Sequence, residues 1–281
     1  MALTSMAMGA SLLPASAGVI VDESFNYTLG ASLDGLTGGS GWSGGWMASG
    51  TAVMGTGLTY GNIGVGSSGS GAVGDLSNEA SLSRQITPQT LPNTLWIRTL
   101  YSPNAVDPQS ASVIPVSFAG ANGGSLYLER VAAVDGGGEG EGGGGAFTMN
   151  LLGLDSTPAT SAGFNLSQAT HCLLWRMAVN PNVGAPETLD MWVDPNFSSL
   201  GTPFASLTGN VLENDASLGT DYVALFSATG IGPDTIDELR IGDDLASMAA
   251  VPEPGAYAMG TIVLLGVGMG AGYRRYRAAK A

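Results

Sequence analysis

The sequence predicts an all-β protein whose body, residues 18–250, is a single β-sandwich, and three observations predict it. Short runs of alternating apolar and polar residues recur along the chain, each bounded by Gly, Pro, Asn or Asp. A period of two is that of a strand with one buried face. Glycine is very frequent, 44 of 281 residues, and charged residues make up only 11%, a composition of short strands and tight turns. No segment outside the two ends sustains a helical period, while an apolar share of 44% is enough to fill a core.

The elements follow in chain order. Residues 1–17, "MALTSMAMGASLLPASA", hold a modest apolar stretch ending in Ala15-Ser16-Ala17, the small-x-small pattern of a signal-peptidase site. No Lys or Arg precedes it, which a translation start further upstream would supply. Strands are expected at Leu95–Tyr101, Ser125–Val131, Cys172–Val179, Thr188–Val193, Asp221–Phe226 and Asp237–Ile241. Before them "GWSGGW", with Trp42 and Trp46, reads as a loop covering one end of the core. The Gly/Glu run 135–145 cannot bury apolar area and reads as a solvated surface loop. Its Glu139 and Glu141 lack the ordered ligand spacing of a calcium loop. Calcium could assist binding, but no stretch carries a motif for it, and no cofactor or metal site is expected.

Charge divides the chain unevenly. All 23 acidic residues precede the apolar run near the C-terminus, and four of the nine basic ones, Arg274, Arg275, Arg277 and Lys280, follow it. The body keeps five arginines and no lysine. Such a surface repels phosphate backbones, which excludes nucleic acid as a partner.

The apolar run, residues 255–273, contains no charge. As a helix rising ~1.5 Å per residue it would reach about 28 Å, close to the hydrocarbon thickness of a bilayer. The basic cluster after it would stay on the cytoplasmic side and stop transfer, leaving the body outside. Directly before it stands Val251-Pro252-Glu253-Pro254. Its two prolines fix φ and remove backbone donors, so the segment stays extended and open to a processing enzyme.

These three parts, in this order and spacing, resemble the PEP-CTERM sorting signal of Gram-negative bacteria: the motif at 251–254, a transmembrane helix at 255–273 and a basic tail at 274–281. The resemblance implies a signal peptidase and an exosortase as partners, an inner-membrane precursor, and a mature protein in the cell envelope or extracellular matrix. The opening "ESFNYTLGASLDGLTGGSGWSGGW" and the closing "LDMWVDP" and "TIDELRIGDD" are similar to the concanavalin A-like, LamG-like jelly roll. That resemblance implies a closing strand lying beside the opening one.

Chemistry is sparse. The single histidine, His171, shares parity with Leu173 and Trp175, and no Gly-x-Ser-x-Gly elbow accompanies it, so it reads as a packed residue rather than a triad member. The single cysteine, Cys172, excludes an internal disulfide and reads as buried and inert. The concanavalin A-like fold hosts glycoside hydrolases, one family of which carries Glu-x-Asp-x-x-Glu. In Glu187-Thr-Leu-Asp-Met-Trp-Val-Asp194 that pattern fails, because Thr188 stands two residues before Asp190. The same stretch places Asp190, Trp192 and Asp194 on one strand face, where an indole flanked by acids would make a platform for a sugar ring. The sequence therefore supports a non-enzymatic envelope or matrix protein, with a lectin-like polysaccharide-binding module as the alternative.

Overall fold

A computed structural model describes residues 18–249, apart from 50–52, 65–69, 74–80, 88–91, 104–111, 120–124, 132–145, 153–158, 180–185, 210–222 and 230–233. The signal-peptide segment 1–17, the Gly/Glu run and the whole of 251–281, with Val251, Pro252, Glu253, Pro254, Arg274, Arg275 and Arg277, lie outside the described residues. Among the described residues no helix is long and apolar enough to cross a membrane.

Two antiparallel sheets carry the chain. The first runs β13(Ala205–Gly209)-β12(Glu187–Val193)-β11(His171–Ala178)-β6(Thr94–Ser102)-β15(Thr235–Gly242)-β4(Ser70–Val73)-β3(Val53–Thr56). The second runs β10(Ala159–Thr160)-β9(Ala146–Leu152)-β8(Ser125–Val131)-β7(Ser112–Ala119)-β14(Val223–Thr229)-β5(Ser81–Gln85)-β2(Met47–Ser49). The first strand, β1(Val19–Glu23), pairs with the last, β15, so the opening and closing strands are neighbours.

The inner faces form one core. Leu95 and Ile97 of β6, Leu173, Trp175 and Met177 of β11, and Leu189 and Met191 of β12 meet Leu82 of β5 and Phe147 and Met149 of β9. Alternation along these strands is what separates the two faces. The expected strands correspond to β6, β8, β11, β12, β14 and β15 with small shifts of their ends. β7 was not anticipated, because Pro115 inside it argues against a paired strand. The register is irregular at that point on both sides, between Val113 and Val116 against β8 and between Leu225 and Ser227 of β14.

"GWSGGW" closes one end of the core. Trp46 is buried and stacks on Phe25 at 5.2 Å. Arg84 lies over the rings of Trp42 and Trp46 and donates to Glu23 Oε2 at 2.7 Å. Glu23 also accepts from Phe25 N, Tyr27 Oη and Trp46 Nε1. Burial pushes its carboxyl above the usual range, and these donors with Arg84 pull it back. Gly41 has φ 82°, and a Cβ there would run into the Ile20 carbonyl oxygen, so the loop can lie this close to β1 only with glycine.

Candidate functional site

The outer face of the first sheet carries the polar side chains that the core excludes. Register places Ser206 opposite Asp190, Asp190 opposite Arg176, and Arg176 opposite Trp96, a row crossing β13, β12, β11 and β6. Ser206 Oγ donates to Asp190 Oδ1 at 2.7 Å, and Arg176 Nη2 donates to Asp190 Oδ2. The Arg176 guanidinium lies 5.8 Å from the Trp96 ring centre and 5.7 Å from that of Trp192. The two indoles stack on each other at 5.8 Å. Asp190 is buried, whereas the Arg176 side chain is 40% exposed. Of the five donors on a guanidinium, only Nη2 is engaged among the described residues, and Nε has no partner.

The next row holds Trp192, Leu174, Arg98, Arg240 and Asp22. Arg240 grips Asp22 with two nitrogens at 2.8–3.0 Å. Arg98 Nη1 donates to the Met248 carbonyl at 2.6 Å, and burial lowers its guanidinium to about 10, which leaves it charged at neutral pH. Further along, buried Asp237 accepts from Leu58 N and Glu238 N, each at 2.8 Å, and burial pushes its carboxyl up to about 8.

The three residues chosen as a sugar platform therefore part company. Trp192 points to the outer face as alternation requires, but it is only 6% exposed. It belongs to a cluster with Trp96, Leu174 and Met248, against which Phe197, Leu200 and Leu245 pack; Trp96 stacks on it, and its Nε1 donates to the Gly201 carbonyl. The ring is thus a floor beneath Arg176 and no open platform. Asp194 does not share the face at all. It follows β12 with φ 53°, a turn that breaks the alternation. Of the three, Asp190 alone joins the outer row, and its partner Arg176 was not anticipated. The signal for it was the register of two adjacent strands, which no single strand reveals.

At the other end of β11, Asp194 faces His171. His171 Nδ1 is 2.8 Å from Asp194 Oδ2, and Asp194 Oδ1 accepts from Cys172 N at 2.9 Å. His171 Nε2 is 3.0 Å from Ser167 Oγ and 3.2 Å from the Ser167 carbonyl. His171 is mostly buried, while Ser167 is exposed. Cys172 beside them is fully buried and its thiol is pushed up to about 12 by burial, so it is no nucleophile at neutral pH. Among the described residues no group of three or more His, Cys, Asp or Glu side chains is placed to hold a metal ion.

No protein-family model matches the chain, and no curated protein matches it. Solved structures do. An alginate lyase in complex with an alginate tetrasaccharide aligns with 81% of this chain and 97% of its own at 12% identity and a TM-score of 0.44. A glycosyl hydrolase family protein from Mycobacterium fortuitum aligns over 70% and 74% at 11% identity and a TM-score of 0.34. A galectin from Caenorhabditis elegans aligns over 56% and 88% at 13% identity and a TM-score of 0.32. The expectation of a non-enzymatic body is corrected here. The solved structures that the sandwich is similar to include an alginate lyase and a glycosyl hydrolase family protein.

Proposed function

We propose that this chain is an exported protein with a concanavalin A-like body that binds polysaccharide through the Arg176–Asp190 patch on the outer face of its first sheet. The observation that carries this reading is the Arg176 side chain, 40% exposed on the outer face with its Nε buried. Its Cζ lies 5.8 Å and 5.7 Å from the centres of two indole rings, and one nitrogen is held by a buried carboxylate. A planar fork with spare donors beside Ser206 suits the hydroxyl groups of a sugar chain. Aromatic backing keeps it from collapsing into solvent. The body's excess of acidic residues repels polyanions, so a neutral polysaccharide fits better than an acidic one.

Delivery rests on the two ends. The signal-peptide pattern at Ala15-Ser16-Ala17 supports export with cleavage by a signal peptidase. Pro252-Glu253-Pro254, the apolar run 255–273 and Arg274, Arg275 and Arg277 support transient insertion in the inner membrane and processing by an exosortase. The mature body would then reach the envelope or the extracellular polysaccharide.

The binding claim is tested by native electrophoresis of the full chain in gels containing neutral glucans, galactans or mannans. Retardation by at least one is expected. Arg176→Ala should weaken it roughly 10- to 100-fold, the worth of a charged hydrogen bond. Migration unaffected by every polysaccharide, or retardation equal in the variant, contradicts the assignment.

A further inference from the structure

Ser167, His171 and Asp194 form a hydrogen-bonded chain in the order that nucleophilic catalysis requires. The serine oxygen lies 3.0 Å from His171 Nε2, and Nδ1 of the same ring lies 2.8 Å from Asp194 Oδ2. The two nitrogens are thus committed to different partners. With Nδ1–H donated to the carboxylate, Nε2 presents its lone pair to the serine hydroxyl. Asp194 is fixed in turn by Cys172 N on its other oxygen, which holds in place the carboxylate that Nδ1 faces. Ser167 Oγ accepts from Ala169 N at 3.4 Å, which leaves the hydroxyl hydrogen for the imidazole. The serine is exposed, the base is mostly buried, and the acid is 37% exposed. A nucleophile at the surface with a sheltered base behind it is the arrangement that an ester on a large or loosely held substrate can approach.

We infer that Ser167, His171 and Asp194 are an acyl-transfer site that hydrolyses carboxylic esters. Ser167 Oγ attacks the ester carbonyl carbon, and its proton passes to His171 Nε2 as the Oγ–C bond forms. Asp194 is a positioning residue; it holds Nδ1–H and its charge balances the imidazolium. The Ser167 carbonyl, 3.2 Å from Nε2, accepts the new N–H. The ester C–O bond then breaks, and the alcohol leaves with the proton from Nε2. Water attacks the acyl-serine, gives a proton to Nε2, and the carboxylic acid departs as the serine recovers its hydrogen. No metal, oxidant or further reactant enters. The site is independent of the Arg176 patch, since it stands on different side chains at the opposite end of β11.

The test uses the full chain with a fluorophosphonate probe, mass spectrometry to locate the label, and p-nitrophenyl acetate as substrate. Ser167 should be labelled ahead of every other serine. Asp194→Asn, which keeps an acceptor for Cys172 N but turns the ring to the wrong tautomer, should slow labelling and hydrolysis together. His171→Gln should slow both by about 10²–10⁴-fold, the usual worth of a general base, and Ser167→Ala should abolish the label. Thermal unfolding checks that each variant is folded. If His171→Gln fails that check, the partly exposed Asp194→Asn decides. Folded wild type in which Ser167 is unlabelled, or labelled at the same rate as in Asp194→Asn, overturns the inference.

Discussion

Asp237 shows how far one side chain's surroundings set its chemistry. Its carboxyl is fully buried between β6 and the Leu58 segment, and burial raises it from an ordinary 3.8 to about 8. The folded chain therefore holds this proton over a range where the unfolded chain has released it. Between about pH 4 and about pH 8 the native state binds more protons than the unfolded state, so raising pH costs stability. The contribution is fully present below the unfolded value and is lost as pH rises through the folded one. Urea midpoints measured at pH 5 and pH 8 should fall with pH, and Asp237→Asn should flatten that fall. A variant with an unchanged slope would mean that the carboxyl ionises normally. Little of this was legible beforehand, because "DELR" looks like any amphipathic strand. Beside it Glu238, at φ 52°, breaks the register against β6, which strict alternation does not foretell. The same holds at Ser167, which in the sequence is only the last residue of an Asn-Leu-Ser sequon. Nothing in the spacing of 167, 171 and 194 announces a contact that a turn after β12 creates.

At the level of elements, strands were legible where alternation was strict and obscure where another rule intervened. β6, β11 and β12 are apolar on the inner face and rich in Trp and Leu, and their ends fell close to expectation. Pro115 hid β7, and the short β10 and β13 carry too few apolar residues to stand out. The outer face was misjudged for a physical reason: alternation says which way a side chain points and nothing about what covers it. The loop at Phe197–Leu200 and the 3₁₀ turn Ala246–Met248 close over Trp96 and Trp192. Trp192→Ala should therefore act mainly on stability, with a loss of about 3–5 kcal/mol, the usual cost of emptying a buried aromatic site. Chemical denaturation would measure it. A loss of polysaccharide binding with stability unchanged would instead restore the ring as an open platform.

On the scale of the whole molecule, the sandwich ends where it begins. β15 pairs with β1, with Asp22 gripped by Arg240 across the pair, so both chain ends leave the fold from neighbouring strands. On the proposed membrane span, the basic residues after the apolar run would stay on the cytoplasmic side. On the proposed reading, this ending delivers the body to polysaccharide outside the cell. That delivery is tested most directly by the location and C-terminal mass of the protein in its native cells, wild type against the triple variant Pro252→Ala, Glu253→Ala, Pro254→Ala. Wild type is expected in the extracellular polysaccharide fraction without residues 255–281, and the variant in the membrane at full length. Wild type found at full length in the membrane, indistinguishable from the variant, would contradict it.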